Sequence, residues 1–212
     1  MSSKLEEVCL SYRLIRYGAR INEIKIMCPG LTKKELRDRY YEVHQCSARS
    51  GKNPTKPDFF FSTRNTHRLS SYLANSFIKL NLVSSGSLVN CKDTGRFVDA
   101  YEHYALDFDD ELIGISRALL LLKELRMGSI STTKCDDCSV PYIISPITPK
   151  LYSCPYCAIK KQLERLCCHC GEPVQDRGRC RNKRCQQSQA AKRRQAITSD
   201  VSSLCSVALP GL

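Results

Sequence analysis

The chain has 212 residues, of which 42% are hydrophobic and 25% are charged, a balance typical of folded globular proteins and not of disordered ones. Its longest aliphatic run, residues 118–122, is far shorter than the roughly 20 apolar residues of a membrane span, and the polar start after Met1 does not resemble a secretory signal. We therefore expect a soluble cytoplasmic protein, in which the 14 cysteines favour metal binding over disulfides.

The net charge of +12 is concentrated at both ends of the chain. Residues 1–57 carry a net charge of +6 and residues 131–212 carry +7, whereas residues 58–130 carry −1. Two separate basic regions suit a polyanionic partner, because each neutralised phosphate releases counterions and adds affinity. An ordinary solvated basic surface is the alternative explanation.

The amino-terminal region has helical periodicity. Apolar positions within residues 5–15 predict a first helix that Gly18 ends, and residues 20–27 predict a short second helix before the break at residues 28–30. The apolar positions of these two helices are Leu5, Val8, Leu10, Leu14, Ile15, Ile21, Ile24 and Ile26.

A third helix is predicted to begin at Thr32, where Thr32 and Glu35 have the spacing of a capping box. Its inner positions are Leu36, Tyr40 and Val43. A helix, a short glycine-containing turn and a second helix form the layout of a helix-turn-helix, with an ordinary helical hairpin as the alternative. In the first case the outer side chains would contact DNA: Lys33, Lys34, Arg37 and Arg39.

The middle of the chain predicts a helical core after a loop at residues 47–57. Three amphipathic helices are expected, the third of them capped by Asp109 or Asp110 and ended by Gly128. Residues 142–152 predict short strands. The expected core positions are Leu69, Tyr72, Leu73, Phe77, Leu80, Phe97, Tyr101, Tyr104, Leu112, Ile113, Leu119, Leu120 and Leu122.

Two pairs of cysteines, Cys135 with Cys138 and Cys154 with Cys157, have the C-x2-C spacing of a structural zinc site. A redox dithiol at Cys154 and Cys157 is the alternative, but such a motif belongs to a βαβ unit that the surrounding sequence does not predict. A nucleobase deaminase would need an H-x-E element, and no histidine here has glutamate at that spacing.

A second group of cysteines follows, with Cys167 and Cys170 as one pair and Cys180 and Cys185 as another. It predicts a second zinc ribbon, for which Cys168 and His169 are alternative ligands; a flexible tail whose cysteines coincide with ligand spacing is the other interpretation. Basic residues in and near this group are candidate phosphate contacts: Lys160, Lys161, Arg177, Arg179, Arg181, Lys183 and Arg184.

We therefore expect a mainly α protein, with an amino-terminal helix-turn-helix-like segment, a helical core and a carboxy-terminal zinc-ribbon-like module. The predicted regions are the helix-turn-helix-like region 1–57, the helical core 58–130, the zinc module 131–160, the second cysteine cluster 161–195 and a tail 196–212. No set of side chains at catalytic spacing can be assembled, so we do not expect an enzyme.

The order of these elements resembles the FlhC family of bacterial flagellar transcriptional activators. The resembling residues are Leu14 and Ile15, the segments 18–21, 31–42, 61–63 and 116–118, and Cys135, Cys138, Cys154 and Cys157. The resemblance implies a mostly helical protein whose four cysteines bind Zn²⁺. It also implies a small helical partner, FlhD, in a heterohexamer of four FlhD and two FlhC chains that binds promoter DNA and recruits RNA polymerase, which places the protein at the nucleoid.

The chain also departs from this family. It contains no tryptophan, and its cysteines from Cys167 onward exceed the family plan. It is more similar to the divergent relatives that conjugative elements carry, which makes either flagellar or conjugative-transfer genes the expected targets. A zinc-stabilised protein–protein adaptor that binds nucleic acid without specificity remains the alternative function.

Overall fold

The computed structural model describes residues 4–48, 51, 54–84, 91–108, 112–145, 153–163, 166–167, 170, 174–175, 179–180 and 182–185. The chain forms two compact units, residues 1–157 and residues 158–212. The described residues are mostly helical and include clustered cysteines near the carboxy terminus, which confirms the predicted fold class. Within those ranges, no helix has both the length and the apolar character needed to cross a membrane.

Three helices form the amino-terminal part of the first unit: α1 (Lys4–Arg16), α2 (Ile21–Met27) and α3 (Lys33–His44). Each of them packs against the other two. The predicted break at Gly18 is confirmed, since this residue has φ +71 and its N–H donates to the Ile15 carbonyl at 2.7 Å. A left-handed φ is readily adopted by glycine, which suits a helix end.

The turn between α2 and α3 is fixed to α1 by a buried carboxylate. The backbone N–H of Gly30 donates to Oε2 of Glu7 at 2.7 Å, and a Cβ on Gly30 would lie 2.6 Å from that oxygen. A larger residue at position 30 would therefore displace the Glu7 carboxylate from this contact. Thr32 and Glu35 form the predicted capping box, because Thr32 N–H donates to Glu35 at 2.6 Å and Glu35 N–H donates to Thr32 Oγ1 at 3.2 Å.

Some apolar positions predicted to face inward are exposed. Ile26 and Val43 are 60% and 39% exposed, and Leu5, Leu80 and Leu112 also reach the surface. At the end of α3, His44 and not Val43 faces inward, and its Nε2 lies 2.7 Å from the Ile15 carbonyl oxygen of α1. Because short helices bury only a narrow stripe, the neighbours of each buried residue turn outward.

The helical core follows a 3-10 helix (Pro57–Phe61) and consists of α4 (Arg64–Lys79), α5 (Cys91–Asp107) and α6 (Ile115–Met127). Helix α4 packs against α5, α6 and the 3-10 helix, and α1 packs against α5. Arg13 of α1 also forms ion pairs at 2.6 Å with Asp99 and Glu102 of α5. The amino-terminal helices and the helical core therefore pack together through α1 and α5.

Helix α6 begins later than predicted. Its N-cap is Gly114, not Asp109 or Asp110, while its end at Gly128 with φ +73 is as predicted. Two buried tyrosines explain the late start, because Tyr101 donates to the Ile113 carbonyl at 2.8 Å and Tyr104 accepts from the Ile113 N–H at 2.9 Å. Both backbone groups of Ile113 are thus satisfied outside a helix.

Short strands accompany the cysteines. In the first unit β1 (Ser131–Lys134) pairs antiparallel with β2 (Pro141–Ile144), and α7 (Pro155–Leu163) begins after Cys154. In the second unit β3 (Val174–Gln175) pairs antiparallel with β4 (Arg179–Cys180). The sequence predicts strand structure near β2 but does not predict β1. Residues 146–152 of that strand prediction lie outside the described residues.

Candidate metal centre

The first cysteine pair lies in the loop that joins β1 to β2. Cys135 N–H donates to the Val140 carbonyl at 3.2 Å, and Ser139 N–H donates to the Cys135 carbonyl at 2.8 Å. Ser139 has φ 58, so the chain reverses sharply here. This tight turn is what brings two cysteines three positions apart to the same side of the loop.

The second pair lies at the start of α7. Cys154 precedes Pro155, the first residue of the helix, and Cys157 lies in the first turn. Proline suits this position because the first helical N–H has no partner within the helix. Burial raises the pKa of the Cys154 thiol, and hydrogen bonds from the backbone of Cys157 and Tyr156 offset part of that increase.

The four sulfur atoms form a compact group in which all lie within 4.8 Å of one another. Cys135 and Cys157 Sγ are 3.8 Å apart, and Cys138 and Cys154 Sγ are 3.7 Å apart. Four sulfurs placed tetrahedrally at about 2.3 Å from a zinc ion are separated by about 3.8 Å. The cluster could therefore hold a metal ion, and its geometry and thiol ligands are compatible with zinc.

The thiols of this cluster cannot all ionise together without a cation. The pKa of Cys135 is lowered to about 7, chiefly by a hydrogen bond from the backbone of Cys138. The pKa of Cys157 is raised to about 12, chiefly by hydrogen bonding with the Cys138 thiol. A divalent ion would supply the positive charge that four neighbouring thiolates require.

Helix α4 holds the β1–β2 hairpin, which carries Cys135 and Cys138, through a row of polar side chains four residues apart. His67 Nε2 donates to the Ile143 carbonyl at 2.8 Å, and the Ile143 N–H donates to Ser71 Oγ at 3.2 Å. Asn75 Nδ2 donates to the Pro141 carbonyl at 2.8 Å. Strand β2 is therefore bonded to β1 on one edge and to α4 on the other.

The sequence does not predict this contact, because His67 and Ile143 are 76 positions apart. The spacing of His67, Ser71 and Asn75 places them on one face of a helix, and a polar stripe beside the apolar residues of α4 was the available signal. In the sequence alone, such a polar stripe cannot be distinguished from a helix face that is exposed to solvent. Only the position of β2 shows that it is buried against a backbone.

We expect the stability of this contact to decrease at acidic pH. Burial lowers the pKa of His67 below its ordinary value of 6.5, so the folded state keeps the ring neutral while the unfolded state takes up a proton. This contribution is complete above about pH 6.5 and is lost as the pH falls through the lower pKa of the folded state. Urea unfolding at pH 7.5 and 5.5 should show it.

A His67→Phe variant should lose about 1–2 kcal/mol of stability at pH 7.5 and show a smaller change between the two pH values. His103→Gln is the matched control, because His103 is exposed. An unchanged pH dependence in His67→Phe would contradict the assignment.

Exposed basic residues line the start of α3. Lys33, Lys34 and Arg37 are exposed, and they share one side of the first turns of the helix. Arg39 differs, because it is only partly exposed and its guanidinium lies 5.8 Å from the ring centroid of Tyr12 in α1. The first three side chains can reach a ligand directly, whereas Arg39 packs on its own chain.

The basic residues predicted near the carboxy terminus are only partly described. Lys160 and Lys161 are exposed on α7, and Lys183 and Arg184 are exposed beside Cys185. Arg179 belongs to β4. Arg177 and Arg181 lie outside the described residues.

The second cysteine group is also compact. Cys167, Cys170 and Cys185 have their sulfur atoms within 4.8 Å of one another, and Cys167 and Cys185 Sγ are 3.7 Å apart. Cys180 lies in β4, with its side chain outside the described set, as are Cys168 and His169. Three of the four predicted ligands are therefore brought together.

Comparison with known proteins gives a consistent result. The family model described as "Flagellar transcriptional activator (FlhC)" matches residues 1–165. The chain is 29% identical over 168 residues to a flagellar transcriptional regulator FlhC of Enterobacter cloacae, which covers 74% of this chain and 85% of that protein. It is 25% identical over 145 residues to a protein of the same name from Cupriavidus metallidurans, which covers 66% of this chain and 64% of that protein. The first cysteine cluster lies within the match to the family, and the second lies beyond it.

Proposed function

Because this chain belongs to the FlhC family of transcriptional activators, we propose that it is the DNA-binding subunit of a hetero-oligomeric activator. Its partner would be an FlhD-like small helical subunit, in a heterohexamer of four partner chains and two chains of this protein. The complex would bind promoter DNA at the nucleoid and recruit RNA polymerase. The family consists of transcriptional regulators and not enzymes, and the regulated genes would serve flagellar assembly or conjugative transfer.

The observation that carries the DNA-binding part is the exposed basic face at the start of α3. Lys33, Lys34 and Arg37 are exposed there, on a helix whose preceding turn is hydrogen-bonded to α1 through Glu7 and Gly30. Two acids lie on the same turns of α3, Glu35 and the exposed Asp38. The Glu35 carboxylate accepts the Thr32 N–H and lies 3.4 Å from Lys4 Nζ, and the pKa of Glu35 is lowered to about 2.

A rigid helix with outward cations suits DNA, because phosphate contacts from a fixed element set the register in which other side chains meet the bases. The exposed Lys160, Lys161, Lys183 and Arg184 would add phosphate contacts, as would Arg177, Arg179 and Arg181. Arg39 would act mainly by packing α3 against Tyr12 of α1.

The first cysteine cluster would bind one zinc ion through Cys135, Cys138, Cys154 and Cys157. Zinc would supply four metal–sulfur bonds that join the β1–β2 loop to the start of α7. The protein's own residues do the positioning, since α4 holds β2 through His67, Ser71 and Asn75. The role of the metal is thus structural in this proposal.

The test is promoter binding by the complex co-purified with its FlhD-like partner, measured by fluorescence anisotropy across a series of salt concentrations. Lys34→Ala combined with Arg37→Ala should weaken binding on the order of 100-fold and reduce the slope of log K against log salt by about 2. The reason is the loss of two phosphate contacts from α3.

The matched control is Lys79→Ala combined with Lys92→Ala, which removes the same charge from exposed positions of α4 and α5. This control should bind like the wild type. The proposal fails if the complex shows no preference for promoter over random DNA, or if both pairs weaken binding equally. Intact assembly with unchanged DNA binding in the α3 variant would favour the adaptor function instead.

A further inference from the structure

The cysteines after residue 165 lie outside the part of the chain that matches the FlhC model, yet three of them converge. We propose that Cys167, Cys170, Cys180 and Cys185 bind a second zinc ion, independent of the first, and that this ion folds the segment that carries Lys183 and Arg184. This proposal concerns the second unit alone and does not rest on DNA binding.

The arrangement of the sulfur atoms supports the site. Cys167 and Cys185 Sγ are 3.7 Å apart, the separation also found between Cys138 and Cys154 in the first cluster. It is far longer than the roughly 2.05 Å of a disulfide and fits two ligands of one tetrahedral zinc ion. Soft thiolates favour zinc over hard cations such as Mg²⁺ or Ca²⁺.

Local backbone structure positions the outer ligands. Cys167 is buried, and its C-x2-C spacing to Cys170 is that of a zinc knuckle, in which the first and fourth residues of a tight turn bind the ion. On the other side, Asn182 Oδ1 accepts hydrogen bonds from the N–H groups of Arg184 at 3.0 Å and Cys185 at 3.3 Å. These hydrogen bonds fix the backbone of the turn that leads to Cys185.

The backbone also favours Cys180 as the fourth ligand. Strands β3 and β4 pair antiparallel, with Val174 opposite Cys180. Val174 is only four residues after Cys170, so this pairing brings the backbone of Cys180 back toward the first cysteine pair. Cys168 and His169 are the rival donors, but both lie between the two knuckle ligands. In a C-x2-C turn the intervening residues supply the backbone of the turn.

A metal ion would have a clear physical role here. The strands β3 and β4 have two residues each, and domains of fewer than about 40 residues usually need a metal, a disulfide or a partner to fold. The free energy of metal binding would then supply the free energy of folding. Its consequence would be a fixed position for the exposed Lys183 and Arg184 beside Cys185.

Metal content of the full-length protein, co-purified with its partner, is the first test. Native mass spectrometry with elemental analysis should find two zinc ions per chain, and Cys167→Ser combined with Cys185→Ser should reduce this to one. One zinc ion in the wild type, or two in the double variant, would overturn the proposal. Because only metal is measured, failure here would leave the DNA-binding proposal untouched.

The fourth ligand needs a separate comparison. Cys180→Ser should release the second ion at a chelator concentration at least tenfold lower than the wild type, whereas Cys168→Ser and His169→Ala should match the wild type. Cobalt substitution provides a spectroscopic check, since four thiolates and three thiolates with one imidazole give different visible spectra. An imidazole-type spectrum, or loss of the ion in Cys168→Ser alone, would exclude Cys180 as the ligand.

Discussion

Replacing Cys154 with serine should release the metal ion of the first cluster and unfold the β1–β2 hairpin, while the helices α1 to α6 remain folded. Cys154 is buried, and its Sγ lies 3.7 Å from that of Cys138. A structural zinc ion contributes about 10–16 kcal/mol of apparent binding free energy in small zinc domains, so this should be the largest local effect of any single substitution considered. The helical core has its own apolar contacts and does not need the ion.

Hydrogen exchange and metal analysis together measure this effect. The amide of Ile143, which donates to Ser71 Oγ, should lose protection in Cys154→Ser or after chelation, while amides within α6 should keep theirs. Cys46→Ser is the control, because Cys46 is an exposed cysteine outside both clusters. Retained metal, or equal protection of Ile143 in both variants, would contradict the assignment of Cys154 as a ligand.

Replacing Phe97 with alanine should destabilise the helical core by about 3–5 kcal/mol. Phe97 is fully buried in α5 and stacks on Phe77 of α4, with ring centroids 5.6 Å apart and an interplanar angle of 29°. Truncation would leave a cavity and remove this aromatic contact between two helices. Because α4 also holds β2, the loss should reduce the stability of the β1–β2 hairpin as well.

Urea unfolding of the full-length protein, followed by far-ultraviolet circular dichroism, is the measurement. Leu106→Ala is the matched control on the same helix, since Leu106 is 80% exposed and its truncation should change stability by no more than about 0.5 kcal/mol. Equal effects of the two substitutions would mean that α5 does not present Phe97 to the core.

Helix α4 connects the two structural parts of the first unit. Its apolar residues Leu69, Leu73 and Phe77 are buried in the helical core, while its polar residues His67 and Ser71 bond the backbone of β2. A change at the metal site and a change in the core can therefore both act on this one helix. The predictions for Cys154, Phe97 and His67 probe its two faces separately.

Features that depend on neighbouring residues could be predicted from the sequence. The capping box of Thr32 and Glu35, the glycine ends at Gly18 and Gly128, and the C-x2-C pairs all arise from interactions within a few residues. Apolar spacing likewise identified Phe97 and Tyr104 as core positions. These patterns are local, so the chemistry of the residues is sufficient to predict them.

Features that depend on distant residues could not be predicted from the sequence. Strand β1 exists because it pairs with β2, and α6 starts at Ile115 because Tyr101 and Tyr104, about ten positions earlier, hold the backbone of Ile113. Val43 turns outward because His44 contacts Ile15. In each case a long-range hydrogen bond decides between alternatives that are nearly equal locally.

Local sequence patterns were enough to predict a mainly helical fold, the cysteines that meet in the first cluster and the family to which the chain is similar. Ligand spacing, helix capping and apolar periodicity each depend on residues that are close together in sequence. The folded chain was needed to find that His67, Ser71 and Asn75 hold the β1–β2 hairpin. It was also needed to find that Arg39 packs against Tyr12 and that Cys185 meets Cys167. Those contacts join residues far apart in sequence, and packing of the whole chain selects them.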